Sequence, residues 1–576
     1  MKALKLMIIA FTVLGWQSVA GQQSVPDHNF SRVSLTVIYL DDPNPDAKFN
    51  ASISQSVHGF FEQTKLIGPK YNDHLISTRF ARIDVDNFTS ENRTMIGNTK
   101  EAGQIADYIN KSDISRQIVT KWFDRQPDGT FKMDLIGQRG LYNASDNDYI
   151  TAAASQRQFA GLKDQGEKLL KLSYILFVNF SDINYTVNQK TGSGAYSGLA
   201  RGYLFQLVWN DSISADFYQN LWIADGDNDA VRSAKKAKFD STVFPVKHIR
   251  DFNTSAAQSN FSITEDKRSD AEKRTALFTS LYENLVVDID TKVPEFQVRQ
   301  TLVSSNPIGA TIGTKEGLYV DQRFFVLENV QKRNKEVVQR RRAVVRAKTV
   351  ADNEKITEGK STPSIFYQVG GGKIDHFGMY MEQKNDKGIS LTGSYMKGNM
   401  GGLNGTLEYN LSRSFSKTMK LKSIPTGVNF FIDLAVQKST YNDVNIPDYY
   451  YSDSHDYTFA RVSGGFSKDF YFWKNFHISP RVGYGIEYTS LYAKGDNGSY
   501  PDGLTAMGDH ALIGITGGLN LHYNFQLIGG FNYYIPIGDL WVTPGSDKAV
   551  PLTMSWSKVF DGRQGLAIFG GIRILL

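Results

Sequence analysis

The sequence predicts a multi-domain chain. An α/β domain and a small β-module precede a C-terminal antiparallel transmembrane β-barrel of ten to twelve strands. Three observations carry this. First, residues 363–576 repeat segments of roughly ten residues whose polarity alternates, and that length crosses a bilayer as a tilted strand. Second, aromatics gather at segment ends, as in Phe470-Tyr471-Phe472-Trp473, Tyr533-Tyr534 and Trp541, where an interfacial girdle sits. Third, the first residues read as an export signal, and no later stretch reaches about 18 apolar residues, the length of a spanning helix.

Composition agrees. Hydrophobic residues make up 41% and charged residues 21% of the 576 positions, with 50 Gly, 29 Tyr and 36 Phe. This excludes a disordered chain and an α-helical membrane protein. The net charge of +5 is small for the length and gives no argument for nucleic acid. There is no cysteine, so disulfides, thiolate metal sites and cysteine nucleophiles are excluded. No cofactor is expected.

Residues 1–20 form the signal. Lys2 and Lys5 precede an apolar run from Leu6 to Trp16, and Ser18-Val19-Ala20 supplies the small-x-small cleavage site. Export combined with barrel strands points to a bacterial outer membrane, with the N-terminal part in the periplasm.

Residues 21–295 read as the periplasmic α/β domain. Val33, Leu35, Val37 and Tyr39 alternate as in a strand, and residues 50–64 look helical. Ala102, Ile105, Ala106 and Ile109 keep helical spacing, as do Ile114, Ile118 and Trp122. A short strand is expected over 131–136. Phe159, Leu162, Leu169 and Leu170 mark a helix that leads into the apolar strand 174–180. Tyr203, Phe205, Leu207 and Trp209 form a second strand, and Leu277, Leu281 and Leu285 one face of a later helix. This order resembles the periplasmic α/β domain of curli-secretion and flagellar-accessory proteins, a likeness of element order with no shared motif.

Residues 296–362 read as the small β-module and its linker. Short strands and Gly turns fill 296–351, and 352–362 is polar. The module resembles the small barrel that follows the α/β domain in flagellar-accessory proteins. Lys332, Arg333, Lys335, Arg340, Arg341, Arg342, Arg346 and Lys348 form a basic run. It is expected to be the solvated face of a hairpin, or a contact for lipid head groups or an acidic partner.

Residues 363–576 hold the barrel candidates. In 427–437, Val428, Phe430, Ile432, Leu434 and Val436 share one parity and Asn429, Asp433 and Gln437 the other. Segments 403–411, 476–488, 511–523 and 566–576 alternate in the same way, and weaker candidates start near Ile365, Phe377, Ile389, Tyr457, Phe525 and Leu552. That total is odd, whereas single-chain bacterial barrels are even, hence ten or twelve. Long connections are expected at 440–455, 491–507 and 535–550. The last strand resembles the terminal strand of outer-membrane barrels, but it ends on Leu576 instead of an aromatic. The inward set includes Glu408, Asp433, Arg461, Arg481, Glu487 and Arg573, expected to form a salt-bridge network plugging the lumen, or else to line a narrow pore.

Other motifs fail on spacing. Asp225-Gly226-Asp227-Asn228-Asp229 opens like a calcium loop, but Ala230 and Lys236 stand where Gly and Glu are required. Gly359-Lys360-Ser361 lacks the first Gly of a phosphate loop, since Glu354 holds that place. His510 and His522 lie roughly 40 Å apart along a strand and cannot share a site. There is no GxSxG or HExxH, so no enzyme is expected.

The layout resembles that of Bacteroidota-type outer-membrane barrels with an N-terminal periplasmic domain. The resemblance implies a barrel embedded in outer-membrane lipid that anchors a periplasmic domain. That domain would bind another cell-envelope or secretion protein and no nucleic acid. A small-solute pore and a barrel hydrolase are the alternatives.

Overall fold

The computed structural model describes residues 33–41, 51–63, 66, 70–73, 79–81, 99–133, 170–187, 192, 194–257, 268–334, 337–353, 362–384, 386–446, 450–490, 505–543, 550–552 and 554–576. The signal segment, residues 159–169, Lys335, Gly359-Lys360-Ser361, most of the 352–362 linker and part of each expected long loop lie outside these.

The N-terminal unit is a sheet covered on both faces. Its strands are β1 (Ser34–Asp41), β2 (Asn72–Asp73), β3 (Arg79–Ala81), β4 (Ser173–Val187), β5 (Gly194–Leu207) and β6 (Val246–Ala257), in the order β2-β1-β4-β5-β6 with β3 also on β1. β1 and β4 run parallel, and β4, β5 and β6 are antiparallel. Helices α1 (Ala51–Gln63), α2 (Thr99–Lys111), α3 (Ile114–Trp122), α4 (Asp211–Asp216), α5 (Asp229–Ser241) and α6 (Asp270–Lys292) accompany it.

Burial on both faces explains the near-continuous apolar run of β4. Tyr174, Leu176, Val178 and Phe180 pack with Val57 and Phe60 of α1 and Leu277, Leu281 and Leu285 of α6. Ile175 and Phe177 pack on the other face, with Ile105 and Ile109 of α2 and Ile118 and Trp122 of α3. A reciprocal Ser269–Glu272 capping box starts α6. Among residues 131–133 there is no strand; Phe131 instead stacks on Trp222, with centroids 5.3 Å apart. The acidic turn caps a helix. Asn228 accepts from the Val231 amide at 3.0 Å, and Asp227 accepts from Ala224 N at 2.8 Å and Lys235 Nζ at 2.7 Å.

A small closed barrel follows. It comprises β7 (Arg299–Ser305), β8 (Ile308–Ala310), β9 (Arg323–Gln331), β10 (Val337–Thr349), β11 (Ser364–Gly371) and β12 (Met379–Gln383), in the order β10-β11-β8-β7-β12-β9 with β9 paired back to β10. Phe324, Val326, Ala343, Val345, Phe366 and Met381 lie in its apolar interior.

This corrects the boundary expected at 362. The strand near Ile365 is β11 and the segment after Phe377 is β12, and both close the small barrel. The register of Ser364, Ile365 and Phe366 on β8, and of Met379 to Gln383 on β9, decides this. Alternation alone does not say which sheet a strand joins.

The large barrel begins at β13 (Ile389–Lys397). It continues through β14 (Gly402–Asn410), α7 (Leu411–Met419), β15 (Val428–Ile446), β16 (Tyr450–Lys468), the short β17 (Phe470–Phe472), β18 (Phe476–Ser490), β19 (Thr505–His522), β20 (Phe525–Thr543), the short β21 (Val550–Leu552), α8 (Trp556–Val559) and β22 (Gly565–Leu575). Closure runs β13-β14-β15-β16-β18-β19-β20-β22 and returns to β13, every pair antiparallel.

Eight strands close the barrel among the described residues, a correction to the ten or twelve expected. Two of the missing candidates belong to the small barrel. The candidate near Leu552 is only the three-residue β21, paired to β20. The expected loop 440–455 is also corrected: β15 and β16 continue as a paired ribbon to Ile446 and Tyr450. Likewise 535–543 belongs to β20.

Candidate functional site

The interior of the large barrel collects its charged side chains. On β15, Phe431, Asp433 and Ala435 are buried while Phe430, Ile432, Leu434 and Val436 face outward, Leu434 with 57% of its surface exposed. The same parity holds around the wall: Leu403, Val462, Val482, Ile513, Leu527 and Ile568 point out. A wall of this kind is polar inside and apolar outside.

The structure brings the six inward residues into three pairs. Arg481 Nη2 donates to Asp433 Oδ2 at 2.5 Å, and Thr406 Oγ1 donates to the other carboxylate oxygen at 2.6 Å. Arg573 Nη2 lies 2.9 Å from Glu408 Oε2, which also accepts from Ser390 Oγ at 2.8 Å. Arg461 Nη1 lies 3.2 Å from Glu487 Oε1. Rings support the guanidinium groups: Arg481 stands 3.8 Å from the centroid of Phe431, and Arg461 4.5 Å from Tyr534.

Two further members stand outside the alternating segments. Arg563 Nε donates to Glu487 Oε2 at 2.6 Å, and Trp556 Nε1 donates to the same oxygen at 3.1 Å. Both come from the β21–β22 connection, which folds into the barrel mouth through α8. There Trp556, Val559 and Phe560 pack with Tyr457, Phe459, Leu540 and Val542. One Glu487 carboxylate thus serves two arginines and an indole. The sequence signal available was a lone Arg beside Gly562, in a segment with no alternation.

Little room is left. The space among Thr392, Asn404, Glu408, Arg481 and Arg573 is about 10 Å³, enough for roughly one water. His510 is buried in the wall, 3.0 Å from Ser463 Oγ, and His522 lies at the far end of β19.

The opposite mouth carries the small barrel. Asp321, fully buried at a left-handed φ of 64°, is its pin. It accepts from Tyr367 Oη at 2.6 Å within the small barrel, and from Gly427 N at 2.6 Å and Asn410 Nδ2 at 3.1 Å in the large one. Tyr523 Oη donates to Arg341 O at 2.7 Å, and Arg323 Nη2 to Tyr523 O at 2.6 Å. Beside these contacts Asp386 lies 3.6 Å from Arg323 and 3.8 Å from Arg346. Burial alone would raise its carboxyl, but Arg323, Arg346 and Arg413 hold it below its ordinary value. Burial, reinforced by Arg323, pushes Lys384 down to about 7; its ammonium donates to Asn524 Oδ1 across the junction.

The basic run divides accordingly. Lys332, Arg333, Arg340, Arg341 and Lys348 are exposed and Arg342 is half-buried. Arg341 lies over the Phe325 ring at 4.3 Å. Arg340 and Arg342 each come within 4.0 Å of Glu328. Arg346 corrects the expectation of one solvated face. It is buried in the junction, because the outer side of β10 at that point meets the large barrel.

Comparison with known proteins adds fold likenesses. No family model matches the chain, and no curated protein matches it. Similar solved structures include a major outer membrane protein from Thermus thermophilus, at 10% identity and a TM-score of 0.23, covering 33% of this chain and 98% of that one. The N-terminal β-barrel domain of Pseudomonas aeruginosa OprF has 10% identity and a TM-score of 0.19, covering 34% and 100%. Neisserial surface protein A has 13% identity and a TM-score of 0.19, covering 34% and 100%.

Proposed function

We propose that this chain is an outer-membrane protein whose eight-stranded barrel is a closed anchor. It holds the α/β domain in the periplasm, where that domain binds another envelope or secretion component. The observation that carries this is the filled lumen. Three arginine–carboxylate pairs and Arg563 occupy the interior, α8 enters one mouth, and the small barrel covers the other. A barrel of eight strands is just wide enough for side chains to fill it. An apolar outer wall with buried internal charge suits lipid outside and no stream of solute inside.

An even strand count puts both ends of the large barrel at one mouth. β13 starts and β22 ends at the same mouth, where Lys387 N donates to Leu576 O at 2.9 Å. The small barrel docks at that mouth, which supports reading it as the periplasmic one. The resemblance in element order to curli-secretion and flagellar-accessory domains supports a secretion-accessory or assembly role. No catalytic role is proposed.

Planar-bilayer recording tests the anchor. Folded full-length protein is expected to give no steady current. Stable single-channel openings from heat-modifiable, folded protein would replace the anchor by a pore.

A further inference from the structure

We infer that α7 is an interfacial helix that lies among the phospholipid head groups of the adjoining leaflet, with Phe415 and Met419 toward the acyl chains. The inference rests on the barrel being in a membrane.

The nine residues Leu411–Met419 present three faces. Ser412 and Ser416 are buried. Ser412 Oγ donates to Pro425 O at 2.6 Å and accepts from Val428 N at 2.9 Å. Ser416 Oγ donates to Leu421 O at 2.7 Å and accepts from Val320 N of the small barrel at 2.8 Å. These contacts clamp the helix between the two barrels and fix its rotation.

Leu411, Phe415 and Met419 recur every four residues and so share a face. Phe415 is 47% and Met419 63% exposed, and Leu421 beyond the helix is exposed as well. Among the described residues none covers Phe415 or Met419. Lys417, two positions from both Phe415 and Met419, stands on the opposite side of the helix, and with Lys420 it lines the cleft toward Tyr282 and Glu283.

Continuity with the barrel wall assigns the occupant. α7 begins directly after β14, and Tyr409, the last outward-facing residue of that strand, donates its hydroxyl to Ser414 Oγ at 3.0 Å. At the same mouth Phe470, Phe472, Trp473 and Phe525 also project outward, and Lys474 follows Trp473. Aromatics and lysines ringing one end of an apolar wall mark the head-group level. A short helix at that level with an exposed apolar face has the chemistry of an interfacial anchor.

The cysteine-free chain allows a direct test. Met419→Cys and Leu434→Cys are made separately in the full-length protein and labelled with an environment-sensitive fluorophore. Each is reconstituted in phosphatidylcholine vesicles carrying, in separate samples, a shallow or a deep lipid-bound quencher. The expected result is quenching at 419 by the shallow quencher and at 434 by the deep one. Quenching at 434 but not at 419 overturns the helix assignment and leaves the barrel in the membrane. Quenching at neither overturns both.

Discussion

The chain contains two closed antiparallel barrels built inside out relative to each other. In the small one, Phe324, Val326, Val345 and Met381 fill the interior, and Arg340 and Lys348 lie outside. In the large one, Asp433, Arg461, Arg481 and Glu487 are inside, and Ile432, Leu434, Val462 and Val482 outside. Both have the same period of two and the same ladder chemistry. On the proposed reading, what differs is the solvent that each wall faces. Water outside drives apolar groups inward, whereas hydrocarbon outside removes that drive and leaves polar groups to satisfy each other in the lumen. The Asp321 contacts and the Asp386 cluster mark where one regime gives way to the other.

The contrast can be broken from either side. Glu487→Ala strands Arg461 and Arg563 as buried, unpaired cations. A loss of about 3–5 kcal/mol is expected, read as a lower temperature for the folded-to-unfolded shift on a detergent gel. A comparable loss is expected from Phe324→Ala, by cavity formation at about 3–5 kcal/mol, but confined to the small barrel. Limited proteolysis should then cut within 299–383 while the large barrel keeps its heat-modifiable migration.

Leu434→Arg tests the wall. On a lipid-facing strand the cost is about 2–4 kcal/mol near the bilayer midplane, measured by urea titration in vesicles. A change within about 0.5 kcal/mol would mean that this face meets water.

The junction should respond to pH. Lys384 is depressed to about 7 in the folded protein from an ordinary value of 10.5. Between those values the unfolded chain binds more protons, so stability rises with pH. The cost of burying the charge is therefore fully present below about pH 7 and is lifted as pH climbs toward 10.5. Lys384→Met should flatten this rise, followed by proteolysis of the barrel–barrel junction across pH 6.5–9.5. Asp386 has the same sense in a more acidic range: its carboxyl, held below its ordinary value by Arg323, Arg346 and Arg413, contributes stability that is present above the unfolded value and lost as acid protonates it. The smallest effect belongs to Arg340, an exposed group 4.0 Å from Glu328. Arg340→Gln should change stability by no more than about 0.5 kcal/mol.

Much of the architecture was legible in residues 363–576. The alternation of Val428, Phe430, Ile432, Leu434 and Val436 states which side chains share a face, because a strand permits only two directions. That is why the six inward charges could be named beforehand. The helix carrying Leu277, Leu281 and Leu285 was legible for the corresponding reason, its spacing of four. Strand number was not. Ile365 and Phe366 alternate as well as any wall strand, and only their pairing with β8 assigns them to the small barrel.

Sequence by itself determined the parity of each strand, the content of charge inside the large barrel and the apolar character of its wall, since these depend on neighbours along the chain. Tertiary structure decided how many strands close each barrel, which arginine meets which carboxylate, that Arg346 turns from solvent into a junction, and that Arg563 and Trp556 share Glu487. These depend on register and docking between segments far apart in sequence. A period of two carries no record of the partner strand, so the choice is made by the side chains that meet across it.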